Sequence, residues 1–294
     1  MKMEPRLMKT TKRMLSAAGI AVAAIAIVVL LVLGTAAPAF SASTPVARLA
    51  PTSMPTPLPG VAIPLKSIAG LTSLNAAVKI DVNGLINGER AQGDLNAVLT
   101  ANDQGKTKIT VTGSLLGELV AQVGGSLMGL FTPSSVDVYK VPQGTYAVVN
   151  SWFPVCVKLE ATEAAAVLDE MSPQSLLSML TSGDVARGKL VGQETLHGVP
   201  VKHYVIDGDA FLAAAQKSRD PKLKAFGEAL WSAEDADLYV DAKGGYPIAF
   251  RGSYSGSYEP LKVEGDLNVQ TELTGVNTNT PVNLPALCNR PISP

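Results

Sequence analysis

The chain's nearest approach to a catalytic motif is Gly252-Ser253-Tyr254-Ser255-Gly256, which resembles a nucleophile elbow only in outline. An elbow presents a serine at the centre of the turn, and here the centre is Tyr. Ser253 and Ser255 therefore read as ordinary strand residues. His197 and His203 are the only histidines, six positions apart with no cysteine near them, which makes a poor metal site. His203 shares a strand face with Val199, Val201 and Val205, so it reads as a half-buried structural residue. Asp235, Asp237 and Asp241 lack the spacing of a calcium loop and read as a solvated face. Asp207 and Asp209 straddle a glycine ahead of a helix, where Asp209 as a helix cap accounts for them. Dinucleotide, phosphate-loop and zinc-protease patterns are absent from the sequence. The expectation is a protein that is not an enzyme, with no catalytic residues, no metal ligands and no cofactor.

The elements behind these residues are mostly strands. Asp235–Ser257 reads as a hairpin turning at Lys243-Gly244-Gly245, with Ala236, Leu238 and Val240 on one face and Asp237, Tyr239 and Asp241 on the other. Period-two alternation recurs in Ala76–Val82, Gly93–Leu99 and Ile109–Val111. It returns in Val136–Val141, Thr145–Val149, Lys189–Thr195, Val199–Ile206 and Lys262–Leu273. Helices are predicted over Ser114–Phe131, which is apolar but carries four glycines, and over Glu160–Met171, Pro173–Leu180, Asp209–Ser218 and Pro221–Ser232. Many strands with helices gathered mid-chain make an α+β fold: one antiparallel sheet with helices packed against a single face.

The amino-terminal part is not fold material. Lys2, Arg6, Lys9, Lys12 and Arg13 precede the apolar run Ala17–Leu33, and Ala37-Pro38-Ala39 and Ala39-Phe40-Ser41 suit a signal peptidase. Residues 1–42 thus read as a signal peptide or, if uncleaved, as an N-terminal membrane anchor. No cysteine lies near the end of the run, which excludes a bacterial lipoprotein anchor. Residues 43–64 hold six prolines and read as a linker, and residues 65–294 as a single domain. The first 42 residues take five of the 24 Lys/Arg and one of the 25 Asp/Glu. The remainder has a net charge near −5, which argues against nucleic acid as a partner. Cys156 and Cys288 both fall in the exported part; a disulfide is the expectation there, with two buried thiols as the alternative.

Several stretches together resemble the mycobacterial LppX/LprG-type lipid-binding lipoproteins and, more distantly, the periplasmic lipoprotein carriers of the Lol system. They are the strand Ser73–Gly84, the Gly198–Tyr204 hairpin strand, the Leu238–Asp241 and Gly245–Gly256 hairpin and the final alternating strand. The resemblance implies a strongly curved antiparallel sheet, an open half-barrel, whose concave face is covered by helices and holds acyl chains. On that reading the protein is extracytoplasmic, secreted or tethered to the outer face of the cytoplasmic membrane. It binds a lipid or other amphiphile for carriage or presentation at the cell envelope, each buried CH₂ contributing about 0.8 kcal/mol. The expected apolar lining is Leu115, Leu119, Val123 and Leu127 on the helix side, with Leu238, Val240, Ile248 and Phe250 on the sheet side. The alternative is an envelope sensor or regulator that binds a protein partner through the same half-barrel.

Overall fold

The computed structural model describes residues 61–68, 71, 73–86, 88–117, 133–159, 173–258 and 263–292. Among these are thirteen strands: β1 (Val61–Ala62), β2 (Leu74–Ile86), β3 (Glu89–Ala101), β4 (Thr107–Thr112), β5 (Ser135–Val141), β6 (Gly144–Asn150), β7 (Val155–Leu159), β8 (Arg187–Leu196), β9 (Val199–Ile206), β10 (Leu230–Ala233), β11 (Ala236–Asp241), β12 (Pro247–Tyr258) and β13 (Val263–Val276). Three helices accompany them: α1 (Pro173–Leu180), α2 (Gly208–Gln216) and α3 (Pro221–Ala229). The strands form one antiparallel sheet in the order β1-β8-β9-β11-β12-β13-β2-β3-β4-β5-β6-β7, with β10 paired to the far half of β12. The two edges do not meet, so the sheet stays an open half-barrel.

Alternation fixes which face is buried, because side chains along a strand point to opposite sides. Ala76, Val78, Ile80 and Val82 of β2 turn inward with Leu95 and Leu99 of β3 and Ile109 and Val111 of β4. Val136 and Val138 of β5 and Val269 and Leu273 of β13 continue the same face. Leu176, Leu177 and Leu180 of α1, Phe211 and Ala215 of α2 and Leu223 of α3 cover it. The helices are started by their caps. Asp207 accepts the Ala210 N–H at 2.7 Å, and Asp220 accepts those of Lys222 and Leu223 at 2.8 and 3.2 Å with Pro221 following it. Asp207, not Asp209, is therefore the cap of α2.

A row of glycines crosses three neighbouring strands, Gly256 of β12 opposite Gly265 of β13 opposite Gly84 of β2. A Cβ on Gly84 would lie 2.1 Å from the Glu264 carbonyl oxygen, and Gly265 has φ +147°. Glycine is required there because the backbones approach too closely for a side chain, and such kinks are how a sheet takes on curvature.

The carboxy-terminal segment 277–292 is a strap over the other, outer face. Asn75 Nδ2 donates to Thr278 and Thr280, and Val282 packs with Tyr139, Tyr146 and Val148. Cys288 is disulfide-bonded to Cys156 on β7, as expected from the sequence, and Ile292 bridges Val157.

Three boundaries differ from the sequence reading. Val61 and Ala62 pair with Arg187 and Gly188 of β8, and Ile63 is buried in the core. The folded unit therefore begins before Leu65, inside the stretch read as linker, because two ladder positions and an apolar side chain find partners there. Helix α3 stops at Ala229 rather than Ser232, and Leu230–Ala233 turns extended to pair with β12 beyond the reach of β11. Strand β7, unassigned from the sequence, completes the far edge. The predicted helix Glu160–Met171 lies outside the described residues, as does the Ser114–Phe131 helix beyond Gly117.

Three measurements check this architecture. Burial of Ile63 contributes about 1.5–3 kcal/mol, and a domain of this size melts roughly 2–4 °C lower per kcal/mol lost. A chain starting at Leu65 is therefore expected to melt several degrees below one starting at Ser43, and equal melting temperatures would contradict the β1 pairing. Gly84→Ala is expected to cost at least about 1–3 kcal/mol, whereas Gly183→Ala, at a site with open space around it, should leave thermal melting unchanged. Cys156→Ser should cost about 2–5 kcal/mol, read as a fall in the denaturant midpoint, with the linked peptide present in an unreduced digest of the parent protein.

Candidate functional site

The inner face is the candidate site, and the sequence-predicted lining is only partly brought together there. Leu238, Val240 and Phe250 belong to one continuous buried cluster with Leu115 and Leu116. Gly93 makes room for Leu115: a Cβ at Gly93 would fall 2.8 Å from the Leu115 side chain. Leu119, Val123 and Leu127 lie outside the described residues. Ile248 is a correction. Strict alternation puts it beside Phe250, but the register of β12 against β11 shifts between Tyr239↔Ala249 and Val240↔Pro247. That bulge lets Ile248 and Ala249 share the outer face, where they pack with Val201 and Tyr239.

The sequence reading passed over the polar groups of this face. Tyr254 of β12 points inward and forms an aromatic group with Phe211 of α2 and Phe226 of α3, at centroid distances of 5.6 and 5.3 Å. Its ring lies over Gly252, whose Cβ, if present, would be 2.7 Å from the Tyr254 hydroxyl. That hydroxyl is fully buried and has no hydrogen-bond partner among the described residues, and burial pushes its pKa far above the usual tyrosine value. On the adjacent strand β13, Thr271 is 1% exposed between Val269 and Leu273, and its hydroxyl is likewise unpartnered. Thr271 stands opposite Phe250, two positions from Gly252. Two hydroxyls of adjacent strands are thus held dry on the face that the helices cover. A signal was present: Tyr254 continues the inward alternation of Phe250 and Gly252.

The outer face carries several paired polar groups, while Asn75 Oδ1 and Arg251 Nε find no partner among the described residues. His203 Nε2 lies 2.7 Å from Asp237 Oδ1 and its Nδ1 3.4 Å from Glu194, with the ring stacked on Tyr239 at 4.6 Å. Burial raises the Tyr239 pKa, and the nearby Asp237 adds to the shift. Arg251 reaches Glu272 at 3.3 Å, and His197 meets the same carboxylate at 3.1 Å. Ser253 and Ser255 donate across the strand to Asn268 and Asp266. Asp235 accepts the Gly208 N–H, and Asp241 closes a turn by accepting from Lys243. Asp137, buried on β5, takes Thr110 at 2.6 Å and Lys108 at 3.4 Å. At Lys108 burial works against the charge, yet the Asp137 carboxylate and Tyr139 outweigh it and raise the lysine pKa. Asp94 is held below the usual carboxylate range chiefly by the hydroxyl and N–H of Ser114, with Asn96 adding to them. Among the described residues no three His, Cys, Asp or Glu side chains are placed to hold a metal ion, and no helix is long and apolar enough to cross a membrane.

No protein-family model matches the chain, and no curated protein matches it. Solved structures do. LprF from Mycobacterium bovis is 12% identical, with 74% of this chain and 90% of that chain covered and a TM-score of 0.36. The Pseudomonas aeruginosa MucA/MucB complex is 13% identical over 71% of this chain and 53% of that chain, with a TM-score of 0.24. A putative outer membrane lipoprotein-sorting protein domain from Vibrio parahaemolyticus is 6% identical over 72% and 87%, at 0.22.

Proposed function

We propose that the protein is an extracytoplasmic, non-catalytic carrier that holds a lipid or similar amphiphile between the inner face of its sheet and the covering helices. The observation that carries this reading is the pair of unpartnered hydroxyls, Tyr254 and Thr271, in otherwise apolar surroundings. A buried hydroxyl without a partner costs about 1–3 kcal/mol, and in a core serving only stability Phe and Val would avoid that cost. An acyl ester or glycosidic oxygen would accept from both groups while its alkyl chains lie along Leu238, Val240 and Phe250. The leader-like residues 1–42 and the Cys156–Cys288 disulfide support an oxidising compartment outside the cytoplasm. Residues 1–42 would be either a removed signal or the tether of the domain.

The second reading, an envelope sensor that binds a protein partner, is favoured by strand β8. Beyond its short pairing with β1, β8 lies at a sheet edge and exposes Leu190 and Val191, a surface suited to an added strand.

The Tyr254→Phe variant separates carriage from plain packing. It removes an unpaired group without leaving a cavity, so the melting temperature should stay level or rise. If the hydroxyl holds ligand, lipid co-purifying with the protein, read by native mass spectrometry and extraction, should fall several-fold. Parent protein that carries no lipid when isolated from its own membrane fraction would overturn the carrier reading and leave the sensor.

A further inference from the structure

A cross-strand row leads from the unpartnered hydroxyl of Thr271 to the margin of the sheet. Thr271 on β13 stands opposite Phe250 on β12, and Phe250 opposite Leu238 on β11. Leu238 stands opposite Tyr204 on β9, and Tyr204 opposite Leu190 on β8. Directly opposed residues share a face, so all five belong to the inner one. The first four are buried, whereas Leu190 at the end of the row is 49% exposed. The inner face thus reaches solvent, still apolar, at β8. Val61 lies beside this end. It stands opposite Gly188, two positions before Leu190 and so on the same face, and is 75% exposed.

The chain ahead of Val61 is barred from closing this end. The Ile63 N–H donates to the Ala186 carbonyl at 2.9 Å, which sets the phase of the ladder. Val61 and every second residue before it would face β8. Those residues are Pro59, Pro57 and Pro55, the first at the place opposite Leu190, and none has an N–H to donate. Strand β1 therefore stops short of Leu190.

The dimensions fit a hydrocarbon chain. Four strand-to-strand steps of about 4.8 Å separate Leu190 from Thr271, roughly 19 Å in all. One leaflet of a bilayer holds its chains within about half of a ~30 Å hydrocarbon core. Granted the carrier reading, on which this rests, we propose that the row is an open-ended track for one alkyl chain. The ester oxygen lies at Thr271 and Tyr254, the chain runs along Phe250, Leu238 and Tyr204, and its methyl end passes out beside Leu190 and Val61. A row that ended against a wall would set an upper limit on chain length, and one that opens at its margin sets none. Methylenes beyond Leu190 stay outside the dry row and neither add to binding nor oppose it.

Full-length protein from its own membrane fraction is offered an equimolar mixture of monoacylglycerols with lauroyl, stearoyl and lignoceroyl chains, and bound ester is counted by native mass spectrometry. Lignoceroyl occupancy should match stearoyl occupancy to within about twofold, as equal burial requires. Leu190→Glu sets a carboxylate where the long chain emerges. It should lower lignoceroyl occupancy several-fold and leave thermal melting and the occupancy of the lauroyl ester, whose chain ends short of β8, unchanged. A tenfold or greater fall from stearoyl to lignoceroyl in the parent protein would overturn the proposal, because the row would then be closed. So would a Leu190→Glu variant that keeps the parent's preference or loses all three esters alike. A second polypeptide that is bound to the parent and lost from Leu190→Glu would also overturn it, because the margin would then hold a strand. Parent protein that takes up none of the esters would remove the carrier reading itself, and the track with it.

Discussion

The pairing of β13 with β2 is the interaction on which the rest of this structure depends. It aligns thirteen residue pairs, from Val263↔Ile86 to Val276↔Leu74, and joins two meanders that are otherwise separate. On one side lie β2 to β7, each strand bonded to the next; on the other lie β8 to β12. Without the junction each half would offer a narrow apolar face with too few helices to cover it. With it, α1 can lie across β2, β3, β12 and β13 together, and one inner face runs the width of the sheet. The glycine row at Gly256, Gly265 and Gly84 sits on this seam, so the strands that hold the halves together are also the strands that bend.

The sequence was most informative where one face is wet and the other dry. Val263–Leu273, Ala76–Val82 and Val199–Ile206 alternate without interruption, and the structure follows them almost residue for residue. The turn at His197-Gly198 was equally legible, since both residues take positive φ as a tight hairpin requires. What escaped has a common cause: distant partners overrode local pattern. Leu230–Ala233 carries helical periodicity but satisfies its backbone on β12, and Val61–Ala62 looks like linker until β8 is beside it. Ile248 went to the wrong face because a bulge is a property of two strands in register, and one strand alone does not reveal it. Tyr254 was hidden by its setting, a glycine-serine motif that drew attention to the serines on either side.

The two faces of the sheet treat polar groups differently. Outside, carboxylates, histidines and arginine are paired: His203 with Asp237, Arg251 with Glu272, Asp137 with Thr110 and Lys108. The same face also leaves Asn75 Oδ1 and Arg251 Nε without a partner among the described residues, as the inner face leaves the hydroxyls of Tyr254 and Thr271. The difference is one of surroundings: the two hydroxyls lie among aliphatic and aromatic side chains, where an unmatched donor costs more than at a wet surface.

The unequal grip on the two ends of the amino-terminal segment has a mechanical consequence. Strand β1 is held to β8 by two residue pairs at the sheet margin, whereas β2 sits mid-sheet with thirteen pairs on each side. A pull on the amino terminus would peel β1 from the margin one bond at a time, at low force. The chain that follows is gripped at separate points, the Ile63 N–H by the Ala186 carbonyl, the Lys66 N–H by the Gly245 carbonyl and Ile68 in the core, and these would yield in turn before tension reached Leu74. From there the load would run along β2 and be shared by two long ladders in shear. Strand β1 thus behaves as a clip that can let go and close again, and the sheet behind it stays whole.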